Sequence, residues 1–408
     1  MAEPAVLVTL TGEDRPGVTA AVTACLARDI ARLVDVEQIV IRKRLTLALL
    51  CEPLAAFEVD AVTSALRAVV PGFDISVDTA GDADADQAAG REVFVVTLLA
   101  LNLLPGALSE IARAIASVGG NIERIRRTAD YPVTALEVHV SIARGAATAT
   151  ALRQGLLGSV RHHGVDIAVQ RAELDRHGVR LVVLDVDSTL VQAEGIDLLG
   201  QAAGRADEVA AITAAAMRGE LDYAESLTRR VALLAGLSAQ TVESVARSIA
   251  LSPGARTLIR TLQRCGDHVA LVSGGFTELI EPHAQELGIS LVRANRLDIA
   301  DGVLTGGLVP PVVDRAGKAD ALRAFAAEVG VPLRRTVAIG DGANDLDMLA
   351  AAGLGIAFNA KPVVRDAADA TVSVPYLDAV LYMLGITREQ VEDADVRDGV
   401  SAARPSVR

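Results

Sequence analysis

The period of the apolar and polar positions changes near residue 178, and the change divides the chain. Before it, strand-type and helical runs recur in a fixed order. Ala5–Gly12, an apolar and Thr-rich run, predicts a strand, and Arg15-Pro16-Gly17-Val18 then opens a helical run to about Asp29. Arg91–Leu98 predicts a second strand of this kind, and Leu104-Pro105-Gly106-Ala107 opens a helical run to about Val118. Each copy continues with two extended runs that read as a hairpin, then a helix, then a last strand. In the second copy these are Asn121–Thr128, Thr134–Ala143, Ala149–His162 and Val165–Arg171. Both copies therefore predict βαββαβ, the split βαβ order of ferredoxin-like modules, over residues 1–82 and 91–174. The small, acidic stretch Ala80–Gly90 between them suits a linker.

Beyond Gly178, strand-like runs at Val179–Leu184, His268–Val272, Thr336–Gly340 and Leu354–Phe358 alternate with long helical ones. That pattern predicts an α/β domain, a Rossmann-like parallel sheet over residues 178–386. The stretch between the first two strands is far longer than one crossover needs. Its surplus, about Ile196–Leu251, is Ala-rich and predicts an inserted helical cap. Residues 387–408 are charged and lack periodicity, so a fraying tail is expected there.

Composition narrows the function classes. A chain of 408 residues that is 51% apolar can build large cores and is not globally disordered. A net charge of −13 argues against a nucleic-acid or anionic-membrane surface. No apolar run reaches the roughly 18 residues of a membrane span; the longest candidate, Phe94–Leu104, contains Thr97 and Asn102 and stops at Pro105. Met1-Ala-Glu-Pro shows no basic segment ahead of an apolar core, so no export signal is expected. Cys25, Cys51 and Cys265 show no metal-ligand spacing and read as reduced, buried thiols of a cytoplasmic protein. Arginine is abundant, whereas the only lysines are Lys43, Lys318 and Lys361.

Candidate chemistry gathers at strand ends, where open α/β sheets bind their ligands. Leu181-Val-Val-Leu-Asp185-Val-Asp187-Ser188-Thr189 ends an apolar strand in two carboxylates. Two such groups at one point repel and call for a proton or a cation. The second strand ends in Ser273-Gly274-Gly275, a hydroxyl with unhindered backbone N–H groups that can cradle a phosphate. The third ends in Gly340-Asp341-Gly342-Ala343-Asn344-Asp345, and Lys318 opens a helix that can aim its ammonium at the same rim. Each feature has a simpler reading by itself, as a cap, a turn or a solvated lysine. Together they supply what one phosphate and one Mg²⁺ need.

This order of motifs, D-x-D-x-T, Ser, Lys and G-D-x-x-N-D, resembles the haloacid dehalogenase superfamily of phosphohydrolases. Glu194 and the cap residues Met217, Tyr223 and Arg230 look like those of its phosphoserine phosphatase family, and the N-terminal copies resemble ACT modules. The resemblance implies Mg²⁺-dependent hydrolysis of O-phospho-L-serine, the last step of serine biosynthesis, with Asp185 as nucleophile and Asp187 as general acid and base. It implies Mg²⁺ between Asp185, Asp341 and the backbone carbonyl of Asp187, with Asp345 behind them. Ser273, Gly274, Lys318 and Asn344 are then expected on the phosphate, Glu194 on the substrate ammonium and Arg230 on its carboxylate. Met217 and Tyr223 read first as cap core and only second as substrate contacts. ACT modules bind small effectors, often amino acids, and dimerise, so a homodimer and an L-serine site are expected. Polar groups able to grip an amino acid occur only in the first copy, near Asp14, Gly17 and Val18; the second reads Leu101-Asn102-Leu103-Leu104-Pro105-Gly106. Two alternatives stay open: a phosphatase or phosphotransferase for another small phosphate such as phosphohomoserine, and an amino-acid-responsive regulator.

Overall fold

The computed structural model describes residues 5–54, 57–79, 91–145, 149–160, 162–173, 176, 178–218 and 220–400, apart from the side chains of residues 149, 159, 160 and 217. The expected linker at 80–90 and the side chain of Met217 lie outside the described residues. The chain forms two compact units, Met1–Arg91 and Glu92–Arg408.

In the first unit, β1 (Val6–Glu13), β2 (Ile30–Ile41), β3 (Arg44–Pro53) and β4 (Asp74–Thr79) form one antiparallel sheet in the order β2-β3-β1-β4. Period-two alternation puts Val8, Leu10, Leu45, Leu47 and Leu49 on one face. Helices Val18–Leu26 and Val59–Val69 cover that face through Val18, Val22, Leu26, Val62 and Leu66. The edge strand β2 is left out of this core. Leu33, Val34, Val36, Ile39, Val40 and Ile41 are all 45% or more exposed. The loop that begins the first helix exposes Asp14 and Gly17, with Gly17 at φ 92°, a conformation open to glycine at little cost. Val18 differs from the other two expected effector residues: its side chain is core, 3% exposed, so only its backbone is available to a ligand.

The second unit joins a second split βαβ module to the α/β core. The module contributes β5 (Arg91–Ala100), β6 (Gly120–Ala129), β7 (Thr134–Ala143) and β8 (Asp166–Arg171). The core contributes β9 (Leu181–Leu184), β10 (His268–Phe276), β11 (Leu291–Ala300), β12 (Val303–Val309), β13 (Thr336–Gly340), β14 (Leu354–Phe358) and β15 (Ala370–Val372). All eleven strands form one sheet, β12-β11-β10-β9-β13-β14-β15-β8-β5-β7-β6. The seam is the antiparallel contact of β15 with β8 at Ala370 and Ala168. Buried Asp166 locks it by accepting from Thr371 Oγ1 (2.8 Å), Ser373 N (2.6 Å) and Ser373 Oγ (2.9 Å).

Between β9 and β10 lie the cap helices Gly195–Ala202, Ala206–Met217, Tyr223–Ala232 and Ala239–Ser248. Their apolar stripes (Leu199, Val209, Leu227, Val231, Val242 and Ala246) are buried in the same cluster as Leu184 and Phe276 of the core.

Two expectations fail. Within the expected fraying tail, whose residues 401–408 lie outside the described residues, Arg388–Arg397 is a helix begun by a capping box of Thr387 and Gln390. It escaped the apolar pattern because its anchor is ionic: buried Asp395 takes Arg260 at 2.7 Å and Arg264 at 2.6 Å, with Val391 one turn earlier as the apolar contact. Cys265 is exposed, whereas Cys51 is buried; all three cysteines are free thiols. Among the described residues, no helix is long and apolar enough to cross a membrane.

Candidate active site

The three strands that carry the motifs are neighbours. β9 lies between β10 and β13 and pairs in parallel with both, so Leu184 is level with Leu271 and Ile339. Parallel strands about 4.8 Å apart must release Asp185, Ser273 and Asp341 at one edge of the sheet.

After Leu184 the chain makes one wide helical turn, Val186–Leu190, in which Asp187 keeps an extended backbone and Ser188 is left-handed at φ 57°. The turn sends the two carboxylates in different directions. Asp185 points inward, and its Oδ1 accepts from Val186 N (2.8 Å) and pairs with Lys318 Nζ (2.8 Å). Asp187 faces the second strand end. Its Oδ1 accepts from Gly195 N (2.8 Å) and its Oδ2 from Ser273 Oγ (3.1 Å). Ser273 Oγ in turn accepts from Gly275 N at 2.7 Å.

Lys318 is 1% exposed, in the first turns of helix Arg315–Glu328, which Asp314 caps by accepting from Gly317 N. Its ammonium bridges Asp185 and Asp345, at 2.8 and 2.7 Å. A lysine this dry survives only because two carboxylates surround it. Burial alone would lower its pKa; the two partners outweigh burial and drive it far above the ordinary lysine range.

One ammonium does not balance the negative charge. Carboxylate oxygens of Asp185, Asp341 and Asp345 lie within 4.8 Å of one another. Asp185 is held well above the usual carboxylate range, by burial and by the Asp345 charge against the pull of Lys318. Asp341 is pushed up to about 6 by burial and by the charges of Asp345 and Glu194. Clustered hard oxygen donors with surplus negative charge fit a small divalent cation such as Mg²⁺. The Asp187 carboxylate is turned away from this cluster. Burial raises its pKa, against the bonds from Gly195 and Ser273, which favours a form that carries a proton.

Glu194 lies at the mouth, with Oε1 accepting from Ser188 Oγ at 2.7 Å. Desolvation and the neighbouring Asp187 charge raise its pKa, and the Ser188 bond opposes them. Tyr223 starts a cap helix, and its hydroxyl donates to Gly274 O at 3.1 Å. Burial raises its pKa to about 12, and the charges of Lys318, Arg230, Asp185 and Asp187 all reach it. Arg229 turns outward to pair with Glu225. Arg230 is half-buried on the same helix and donates to Ser226 O. Asn344 stands in the short turn after Asp341, its carboxamide oxygen packed against Gly342.

Sequence reasoning missed Ser188 as the partner of Glu194 and missed Asn295, a buried strand residue bonded to Gly274 O. Ser188 could have been found as a hydroxyl inside the first motif. Asn295 gives no signal, because its strand also carries Arg293, Arg296 and Asp298.

The comparisons agree with this layout. The family of haloacid dehalogenase-like hydrolases matches residues 182–350, and two ACT domain families match residues 5–79 and 93–170. The phosphoserine phosphatase SerB2 of Mycobacterium tuberculosis is 50% identical over 97% of each chain. The phosphoserine phosphatase of Streptomyces coelicolor is 51% identical over 96% of this chain and 95% of that protein. Among solved structures, a probable phosphoserine phosphatase from Vibrio cholerae is 31% identical, covering 73% of this chain and 88% of that one, with a TM-score of 0.55.

Proposed function

The chain belongs to the phosphoserine phosphatases of the haloacid dehalogenase-like hydrolases that carry two ACT domains, and we propose that it hydrolyses O-phospho-L-serine to L-serine and phosphate. The observation that carries this reading is the buried Asp185–Lys318–Asp345 bridge beside a separately held Asp187. It supports reading a nucleophile, a cation and a proton carrier at one edge of the sheet.

Asp185 attacks phosphorus, the bond to the serine oxygen breaks, and Asp187 delivers its proton to that oxygen. An aspartyl-phosphate results. Asp187, now a carboxylate, takes a proton from the water that attacks the phosphorus, and phosphate leaves as Asp185 is restored. Ser273 Oγ, Gly274 N–H and Lys318 hold the non-bridging oxygens, with Asn344 beside them. The carboxylates of Asp185 and Asp341 and the backbone carbonyl of Asp187 would hold Mg²⁺, with Asp345 behind them; the ion's charge offsets the repulsion between nucleophile and phosphate. Glu194 takes the substrate ammonium, Arg230 its carboxylate, and Tyr223 closes the cap side.

Phosphate release from a panel of phosphorylated amino acids and sugars, with and without chelator, tests this reading. Sugar phosphates turned over as fast as phosphoserine would overturn it. Arg230→Ala is expected to cut kcat/KM on phosphoserine by about 100-fold and on an aryl phosphate by less than about threefold. Equal losses would remove Arg230 from carboxylate recognition.

Asp341 gives the metal a pH signature. A carboxyl whose folded pKa is raised contributes stability below its unfolded value and loses it as pH climbs through the folded one, here about 6. The metal-free protein is therefore expected to melt lower at about pH 7.5 than at about pH 5. Mg²⁺ should raise the midpoint more at the higher pH. Calorimetry with and without chelator checks both, and an equal Mg²⁺ effect at the two pH values would count against Asp341 as a ligand.

The first module completes the proposal. Its apolar β2 edge is the surface for a homodimer, since exposed edge strands pair. Its Asp14–Val18 loop is the site for L-serine, with Asp14 on the ammonium and the Gly17–Val18 backbone on the carboxylate. Asp14→Ala is expected to abolish any change in rate or sedimentation caused by L-serine; an intact response would move the effector elsewhere. Free thiols, exposed Cys265 among them, favour a reducing cytoplasm.

A further inference from the structure

We infer that Asn295 is a positioning residue that fixes the phosphate cradle and the helix of Lys318 relative to each other. The inference rests on the phosphatase reading above. Asn295 lies in β11 and is 1% exposed. Its Oδ1 accepts from Val313 N at 2.7 Å, and its Nδ2 donates to Gly274 O at 2.8 Å. A backbone N–H can only donate, so the Val313 bond settles which end of the amide is oxygen and turns the donor to Gly274.

Each bond leads to a part of the site. Val313 directly precedes Asp314, the cap of the helix that carries Lys318. On the other side, fixing the Gly274 carbonyl fixes the plane of the Gly274–Gly275 peptide. The Gly275 N–H then points at Ser273 Oγ (2.7 Å), which leaves the Ser273 hydroxyl hydrogen free to donate to Asp187 Oδ2 (3.1 Å). Asn295 thus reaches Asp187 through one peptide and one hydroxyl, and reaches Lys318 through one helix cap. The Tyr223 hydroxyl meets the same Gly274 oxygen from the cap side. No apolar residue can replace this amide without stranding a buried donor and weakening the hold on a buried acceptor. An aspartate of the same shape keeps the Val313 bond and turns an acceptor against Gly274 O.

Asn295→Asp in the Mg²⁺-loaded full chain is expected to lower kcat by about 10- to 100-fold on phosphoserine and on p-nitrophenyl phosphate alike, since the fault lies on the phosphate side. The ratio of kcat/KM for the two substrates should stay within about twofold of wild type. Asn295→Ser, smaller and uncharged, should show the same pattern more weakly and serves if the aspartate variant does not fold. A folded variant with wild-type kcat, or a loss confined to phosphoserine, would overturn the inference. Calorimetric titration with inorganic phosphate separates its failure from that of the parent reading. A wild type that binds phosphate but hydrolyses nothing sinks the phosphatase reading. Equal phosphate affinity in wild type and Asn295→Asp sinks this one; a roughly tenfold weakening supports it.

Discussion

Asp185→Asn is expected to lower kcat on phosphoserine by at least about 10⁴-fold while the protein stays folded. The amide has the shape of the carboxylate, and its oxygen can still accept from Val186 N. It has no charge with which to attack phosphorus. Folding should survive because the substitution removes one negative charge from an overcrowded place. Burial and Asp345 already press Asp185 toward its protonated form, and Lys318 keeps Asp345 as partner. Steady-state phosphate release, a melting curve and a search for phosphorylated enzyme after acid quench check this. Wild type should yield the phosphoenzyme and the variant none. A variant that still forms it would move the nucleophile to another side chain.

How far the site was legible depends on where each residue's signal lies. Asp185, Ser273 and Asp341 could be read because each ends an apolar run, and such runs become adjacent parallel strands in an alternating α/β chain. The βαββαβ order of both modules followed from the succession of strand-type and helical runs. Lys318 was singled out by rarity, but its burial between two carboxylates was not readable, because nothing local distinguishes a buried lysine from a solvated one. The eleven-strand sheet was hidden for a similar reason. Along the sheet itself the seam is one paired residue and the polar clamp of Asp166, and neither leaves a trace in hydrophobic period. The last helix was missed because salt bridges from Asp395, not an apolar stripe, hold it down.

Lys318→Met is expected to lose both activity and stability, and the second loss tells more about the fold. The ammonium is 1% exposed and touches Asp185 and Asp345, which are themselves buried. Methionine fills similar volume, so packing changes little, while two buried carboxylates lose their cation. Breaking a buried ion pair from one side costs about 3–5 kcal/mol. Protonation relieves part of that cost. Without Lys318 the pKa of Asp185, already raised, goes higher still. A carboxyl of raised folded pKa contributes stability at low pH and loses it as pH rises through that pKa. The deficit of the variant should therefore be smallest near about pH 5 and grow toward about pH 8. Mg²⁺ should repay more stability in the variant than in wild type, since it enters a more negative site. Turnover should fall by about 10³-fold or more even when the protein is saturated with metal, because the cation facing the phosphoryl oxygens is gone. Arginine should not rescue it: the planar guanidinium is too large for a slot closed to solvent. Urea unfolding at both pH values, with and without Mg²⁺, measures the stability terms. A variant as stable as wild type at about pH 8 without metal would mean that these carboxylates are not charged in the folded protein, and the electrostatic case for a cation at this site would fail with them.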